Sequence, residues 1–135
     1  MKRQFSRKSL LWVAIPVVAL LMPCVASVGF PEYRYPTKTT VSSSPNPSQI
    51  GQSVTITATV TLYDHAVPDG GTVNFYARRN WTGSGVTANG VASITTTFYT
   101  KGHWSVEAKY AGVQVWRPSH GFTEQLVCAA GRNCL

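Results

Sequence analysis

Three cysteines, three histidines, five acidic side chains and one Arg-Arg-Asn-Trp-Thr segment are the places where this 135-residue chain could do chemistry. A metal site would want His-x-His spacing on one strand face or a Cys-rich tract, and His65, His103 and His120 have neither; they read as surface or turn residues. Asp64 and Asp69 share one predicted loop, but two carboxylates fall short of the roughly six to eight oxygens that Ca²⁺ takes. The same scarcity argues against a glycosidase, which needs a positioned carboxyl pair. No G-x-S-x-G, H-E-x-x-H or phosphate-cradling loop occurs. The expectation is a chain with no catalytic residue, no metal site and no cofactor.

Two features remain. Cys128 and Cys134 bracket Ala-Ala-Gly-Arg-Asn and read as a disulfide closing a small ring, a contribution of about 2 kcal/mol by loop entropy. A redox-active pair would call for C-x-x-C spacing or a helix start, and neither is present. In Arg78-Arg79-Asn80-Trp81-Thr82, two cations beside an aromatic offer a contact for sugar rings by stacking or for acidic polymers by charge. Arg78, Arg79 and Trp81 are therefore the candidate ligand contacts. The plainer reading of the segment, favoured here, folds Trp81 back over the domain edge and leaves the arginines solvated. Asn80-Trp81-Thr82 also matches the N-glycosylation acceptor, a triplet frequent by chance.

What positions these residues begins after an export segment. The chain carries a formal charge of +7, but Lys2, Arg3, Arg7 and Lys8 lie in the first eight residues and no further charge occurs before Glu32. Between them run Leu10 to Met22, apolar throughout, and then the small residues of Cys24-Val25-Ala26-Ser27. A basic start, an apolar signal helix and a small-residue end read as a signal peptide over 1–26, cleaved after Ala26 or Ser27. The alternatives are an uncleaved membrane anchor, for which the uncharged run is just long enough, and a lipoprotein signal at Cys24, which Pro23 disfavours. Removing 1–26 leaves eight cations against five anions, a net of +3. That withdraws most of the case for a nucleic-acid partner. It also leaves an even cysteine pair in a compartment that permits disulfides.

Residues 27–37 read as an extended lead-in, since Pro31 and Pro36 disfavour helix before each of them. From there the apolar period is two. Val54, Ile56, Ala58, Val60 and Leu62 alternate with threonines, and Trp104, Val106, Ala108 and Tyr110 alternate with Ser105, Glu107 and Lys109. Strands are expected at Lys38–Ser43, Ser53–Leu62, Thr72–Ala77, Ser84–Ala88, Val91–Thr97, His103–Tyr110 and Gly121–Val127. Asn89-Gly90 is the strongest hairpin signal, because a type I′ turn needs positive φ at both central residues. No window shows a helical period. The expected architecture is all-β, an antiparallel sandwich of about seven strands over 38–127, with a disulfide-clipped tail at 128–135.

Thr39-Thr40-Val41-Ser42-Ser43-Ser44-Pro45-Asn46-Pro47-Ser48 and Gly51-Gln52-Ser53-Val54-Thr55-Ile56-Thr57-Ala58-Thr59-Val60 resemble the opening of bacterial Ig-like domains of group 3. The resemblance continues through Gly71 to Tyr76, Asn89 to Ala92 and Gly102 to Gly112. It departs at Val113, where the family usually has Asp, and Trp116 before Pro118-Ser119 fills the place of an aromatic that packs over the end of the sandwich. Family members usually occur in tandem, whereas this chain holds one copy. The resemblance implies an exported, non-enzymatic Ig-like domain with a structural or adhesive role at the cell envelope or outside the cell. Its partner would be a protein or glycan surface, and any membrane contact would run through the N-terminal segment. A carbohydrate-binding module using Trp81 and nearby aromatics is the alternative, and a hydrolase with an unrecognised site is the third reading.

Overall fold

The computed structural model describes residues 29, 31–67 and 69–134. The signal segment over 1–26 lies outside the described residues. Nine strands and no helix occur among them: β1 (Lys38–Ser44), β2 (Ser48–Gln49), β3 (Ser53–Leu62), β4 (His65–Ala66), β5 (Thr72–Ala77), β6 (Asn80–Val86), β7 (Val91–Thr97), β8 (Gly102–Tyr110) and β9 (Ser119–Cys128). Six of the seven expected strands lie within a few residues of their expected ends, and two short strands are added.

Strand β3 is central to one sheet, antiparallel to β1 on one side and to β7 and β4 on the other. The second sheet runs β2-β9-β8-β5-β6, with β2 parallel to β9 and the other neighbours antiparallel. Period-two patterning decides which faces meet. Val54, Ile56, Ala58 and Val60 of β3 are fully buried, as are Val73 and Phe75 of β5 and Val106 and Ala108 of β8. Each of the larger ones, Val, Ile and Phe, adds about 2 kcal/mol of transfer free energy and each alanine methyl less than about 1 kcal/mol, which is what holds two sheets face to face.

The inner face of β9 departs from that pattern. At Gly121 an added Cβ would collide with the Thr39 carbonyl oxygen, so only glycine lets β1 cross this strand. At Gln125 a wholly buried amide replaces a hydrocarbon, and the two N–H groups of its Nε2 are shared among Pro45 O (3.1 Å), Ser48 Oγ (3.0 Å) and Leu126 O (3.0 Å). Asn46 completes the crossing from one sheet to the other. Its Nδ2 donates to Glu124 O (2.6 Å) and its Oδ1 accepts from Leu126 N (3.0 Å), so a side-chain amide stands in for the strand peptide that the flanking prolines cannot offer.

The Asn89-Gly90 turn forms, with φ of 52° and 76° and a reciprocal Ala88–Val91 hydrogen-bonded pair. The hairpin expected from it does not. After that single bridge the chain parts, β6 pairing with β5 and β7 with β3. The strand expected at Ser84–Ala88 therefore lies at Asn80–Val86. The tight β5–β6 hairpin turns instead at Arg78-Arg79, where Ala77 faces Asn80. The last part of the lead-in joins the domain: Tyr35 N donates to Val115 O (2.7 Å), Tyr35 O accepts from Arg117 N (2.9 Å), and the Tyr35 ring packs at a tilt on Trp116, 5.6 Å between centroids. Trp116 packs against the core, as expected of it.

Candidate functional site

Arg78 and Arg79 occupy both central positions of the β5–β6 turn, with φ of 47° and 71°. No glycine relieves this left-handed pair, so side-chain contacts must help hold it. Arg78 supplies them. Its Nη2 and Nε donate to His103 O at 2.9 and 3.3 Å, and its guanidinium carbon lies 4.0 Å from the Trp104 ring centroid. Gly102, at φ 126°, leaves the room, since a Cβ there would stand 3.3 Å from Arg78 Nη2. The arginine is thus engaged at its tip, not simply solvated.

Trp104 is pinned from other directions too. Phe98 packs 4.9 Å from it, centroid to centroid, and Nε1 donates to Thr100 O at 3.1 Å. Phe98 is buried and fixes the β7–β8 link through Gly51 N to Phe98 O (2.9 Å). Its neighbour Tyr99 must then point outward, and it is 75% exposed. Across from it, β6 carries an extra residue: Phe75 faces Gly83 and Tyr76 faces Trp81, leaving Thr82 unmatched in a bulge. Such bulges re-aim side chains, and Trp81 stands out at 65% exposure. It does not fold back over the sandwich edge.

The result is a cleft of about 400 Å³ at the end of the sandwich, between β6 and the β7–β8 link. Trp81, Tyr99 and Trp104 supply rings, and Asn80, Thr82 and Thr97 supply polar groups. No carboxylate, imidazole or thiol lines it, so stacking and hydrogen bonding are the chemistry it offers. Of the three contacts expected from the sequence, Trp81 lines this cleft, Arg78 is linked to it through the Trp104 ring, and Arg79 is not among its lining residues. Tyr99 and Trp104 were missed as contacts; the adjacent pair Phe98-Tyr99 before a turn was the available signal, because neighbours on an extended chain face opposite ways.

On the other side of the same hairpin lies the outer face of the five-stranded sheet, with a depression of about 520 Å³ lined by Arg78, Arg79, Ser105, Glu107 and Phe122. This face is ionic. Lys109 lies 3.6 Å from Glu107 and 4.9 Å from the Tyr76 ring centroid, and His103 pairs with Glu124. His120 packs on Phe122, while His65 sits in β4, so the three histidines do not converge. Among the described residues no cluster of three or more potential metal ligands occurs. Asp64 lies in the β3–β4 turn, and Asp69 accepts from Asn89 N at 2.6 Å. Cys128 and Cys134 are bonded, with Cα atoms 5.4 Å apart, at the end of β9.

A family model for the bacterial Ig-like domain (group 3) matches residues 40–126. Among solved structures, the chain is similar to a putative membrane anchored protein from Corynebacterium diphtheriae, with a TM-score of 0.58 and 26% identity over 67% of this chain. That match spans only 21% of the Corynebacterium chain. The chain is also similar to the CARDB domain of a Pyrococcus furiosus protein, with a TM-score of 0.54 and 13% identity, over 73% of this chain and 97% of that one. Fibronectin(III)-like modules of Clostridium thermocellum CbhA give a TM-score of 0.52 and 22% identity, over 70% and 99%. These last two likenesses bear on the fold alone. No curated protein matches the chain.

Proposed function

The chain belongs to the bacterial Ig-like domain (group 3) family, and on that premise we propose that it is an exported, non-catalytic domain that makes adhesive or structural contacts at the cell envelope or outside the cell. One observation carries the contact role: Trp81 and Tyr99, among the most exposed large side chains, flank a cleft whose lining includes no carboxylate, imidazole or thiol. An isolated exposed aromatic is ordinary on a protein surface, whereas two beside one polar-lined cleft mark a recognition site. The sandwich supplies a rigid frame, and the hairpin and link at its end supply the contacts.

Export draws support from the N-terminal basic and apolar segment and from the disulfide. The likeness to a protein described as membrane anchored agrees with it. Cell fractionation with mass spectrometry of the N-terminus tests this part. The expected result is a chain beginning near residue 27 outside the cytoplasm, or an intact N-terminus retained in the membrane with the domain open to added protease. Recovery of a full-length chain from the cytosol overturns it. Contact is tested by adding the fluorescently labelled protein to cells and envelope preparations. Retention that falls on Trp81→Ala or Tyr99→Ala is expected, and equal retention of all variants overturns the role given to the cleft.

A further inference from the structure

We infer that the cleft between Trp81 and Tyr99 takes an uncharged sugar ring of a polysaccharide. This rests on the reading of the chain as a contact domain and adds the class of ligand. Charge gives the first argument. None of the residues lining the cleft is charged, although the outer face of the five-stranded sheet carries Glu107 and Lys109 on β8, with Arg79 of the hairpin turn beside Glu107. Arg78 does contact one of the rings, but its guanidinium is engaged by Trp104 and by His103 O. An ionic ligand therefore finds no counter-charge in the cleft.

The lining gives the second argument. Trp81, Tyr99 and Trp104 offer flat apolar faces, and Asn80, Thr82 and Thr97 lie among them. Thr82 Oγ1 already donates to Asn80 O at 3.2 Å, but a purely hydrocarbon ligand would bury the Asn80 amide and the Thr97 hydroxyl without partners, an unfavourable exchange. A ligand with a C–H face for stacking and hydroxyls around its edge satisfies both, which is the chemistry of a pyranose ring. The volume of about 400 Å³ lies in the range of small-ligand sites. The third argument is preorganisation of the Trp104 wall. Trp104 is held by Phe98, Arg78 and Thr100 O, so this ring needs no ordering on binding, while the bulge at Thr82 sets where the backbone presents Trp81.

The test is titration of the full chain with uncharged gluco-, manno-, galacto- and N-acetylglucosamine oligosaccharides, read by tryptophan fluorescence and calorimetry at low and high salt. At least one oligomer is expected to bind with an affinity that salt does not change. Trp81→Ala and Tyr99→Ala should each weaken it by about tenfold or more, which is about 1.4 kcal/mol. Phe122→Ala, on the outer sheet face, should leave it unaltered. Both cleft residues are exposed, and near-UV circular dichroism of each variant checks that the core is retained. The sugar assignment is overturned if no oligomer binds the folded protein, if neither cleft variant weakens binding, or if only charged oligomers bind and salt releases them. If the labelled protein still adheres to cells through Trp81 while no oligomer binds, the ligand class fails and the contact role stands. If neither adhesion nor oligomer binding occurs, both fail.

Discussion

The guanidinium of Arg78 lies over the ring of Trp104, 4.0 Å from its centroid, while the same group donates two hydrogen bonds to His103 O. One side chain thus ties the β5–β6 turn to the start of β8 and offsets the left-handed backbone at its own position. The adjacent Arg79 has the same backbone burden, at φ 71°, without a comparable anchor among the described residues. Opposite outcomes are expected from the two. Arg78→Ala should lower the unfolding free energy by about 1 kcal/mol, the scale of an exposed cation–π contact with its hydrogen bonds. Arg79→Gly should leave stability unchanged or raise it by up to about 1 kcal/mol, because glycine enters the left-handed region without a Cβ penalty. Urea unfolding of the two variants checks this, and equal losses would remove the anchoring role of Arg78.

Gly71 faces the Tyr110 ring so closely that a Cβ would collide with its Cε2 and stand 3.1 Å from Thr87 Oγ1. Tyr110 is wholly buried and has no room to retreat. Gly71→Ala should therefore cost about 2 kcal/mol, the scale of overpacking a core. Adding Tyr110→Phe should restore little of the loss, because the severe collision is with the ring carbon, while the hydroxyl stands at 3.0 Å. Rescue in the double variant, measured by denaturant midpoint, would show that the hydroxyl is the obstacle.

Strands β3 and β8 were legible because a half-buried strand writes its burial into the sequence with period two, and Val54-Ile56-Ala58-Val60 does so without a break. Turns were legible only where the residue type matched the backbone. Three two-residue turns place positive φ at both central residues: Tyr63-Asp64, Arg78-Arg79 and Asn89-Gly90. Only the last bears the Asn-Gly signature, and it is the one that joins different sheets. Local turn chemistry fixes a reversal of direction but not the sheet each arm enters; that depends on packing, here on Gly85, where a Cβ would stand 3.2 Å from Ser93 O as β6 passes β7. The cleft was half legible for the same reason. Trp81 stands out in the sequence, but that Tyr99, 18 residues on in the β7–β8 link, lines the same cleft is a tertiary juxtaposition that no local pattern encodes.

The Cys128–Cys134 bond closes a ring of six residues' separation beyond a strand already held by Ile50 N to Cys128 O at 2.9 Å. Loop entropy for so short a ring amounts to about 2 kcal/mol, so the clip secures the C-terminal end without creating the fold. Reduction, or the double variant Cys128→Ser/Cys134→Ser, should lower stability by that amount and leave the far-ultraviolet circular dichroism of the sandwich intact. Cooperative unfolding on reduction at room temperature would mean that the bond is essential to the core.

Burial pushes the Tyr110 hydroxyl above its ordinary pKa of 10.0, and that hydroxyl has no hydrogen-bond partner among the described residues. In the unfolded chain the phenol ionises near its usual value, so between that pH and the higher folded value the native state holds the extra proton. Stability tied to this group is fully present below about pH 10 and is lost as pH rises from there towards the folded value. Alkaline titration of the unfolding free energy should therefore show a fall beginning near pH 10, beyond the part due to general repulsion. Tyr110→Phe removes the ionising group and leaves the ring in place. At neutral pH it should be neutral or slightly stabilising, because a buried hydroxyl without a partner costs free energy, and above pH 10 it should be clearly more stable than the parent. Parallel alkaline curves for the two proteins would show that Tyr110 does not govern the transition.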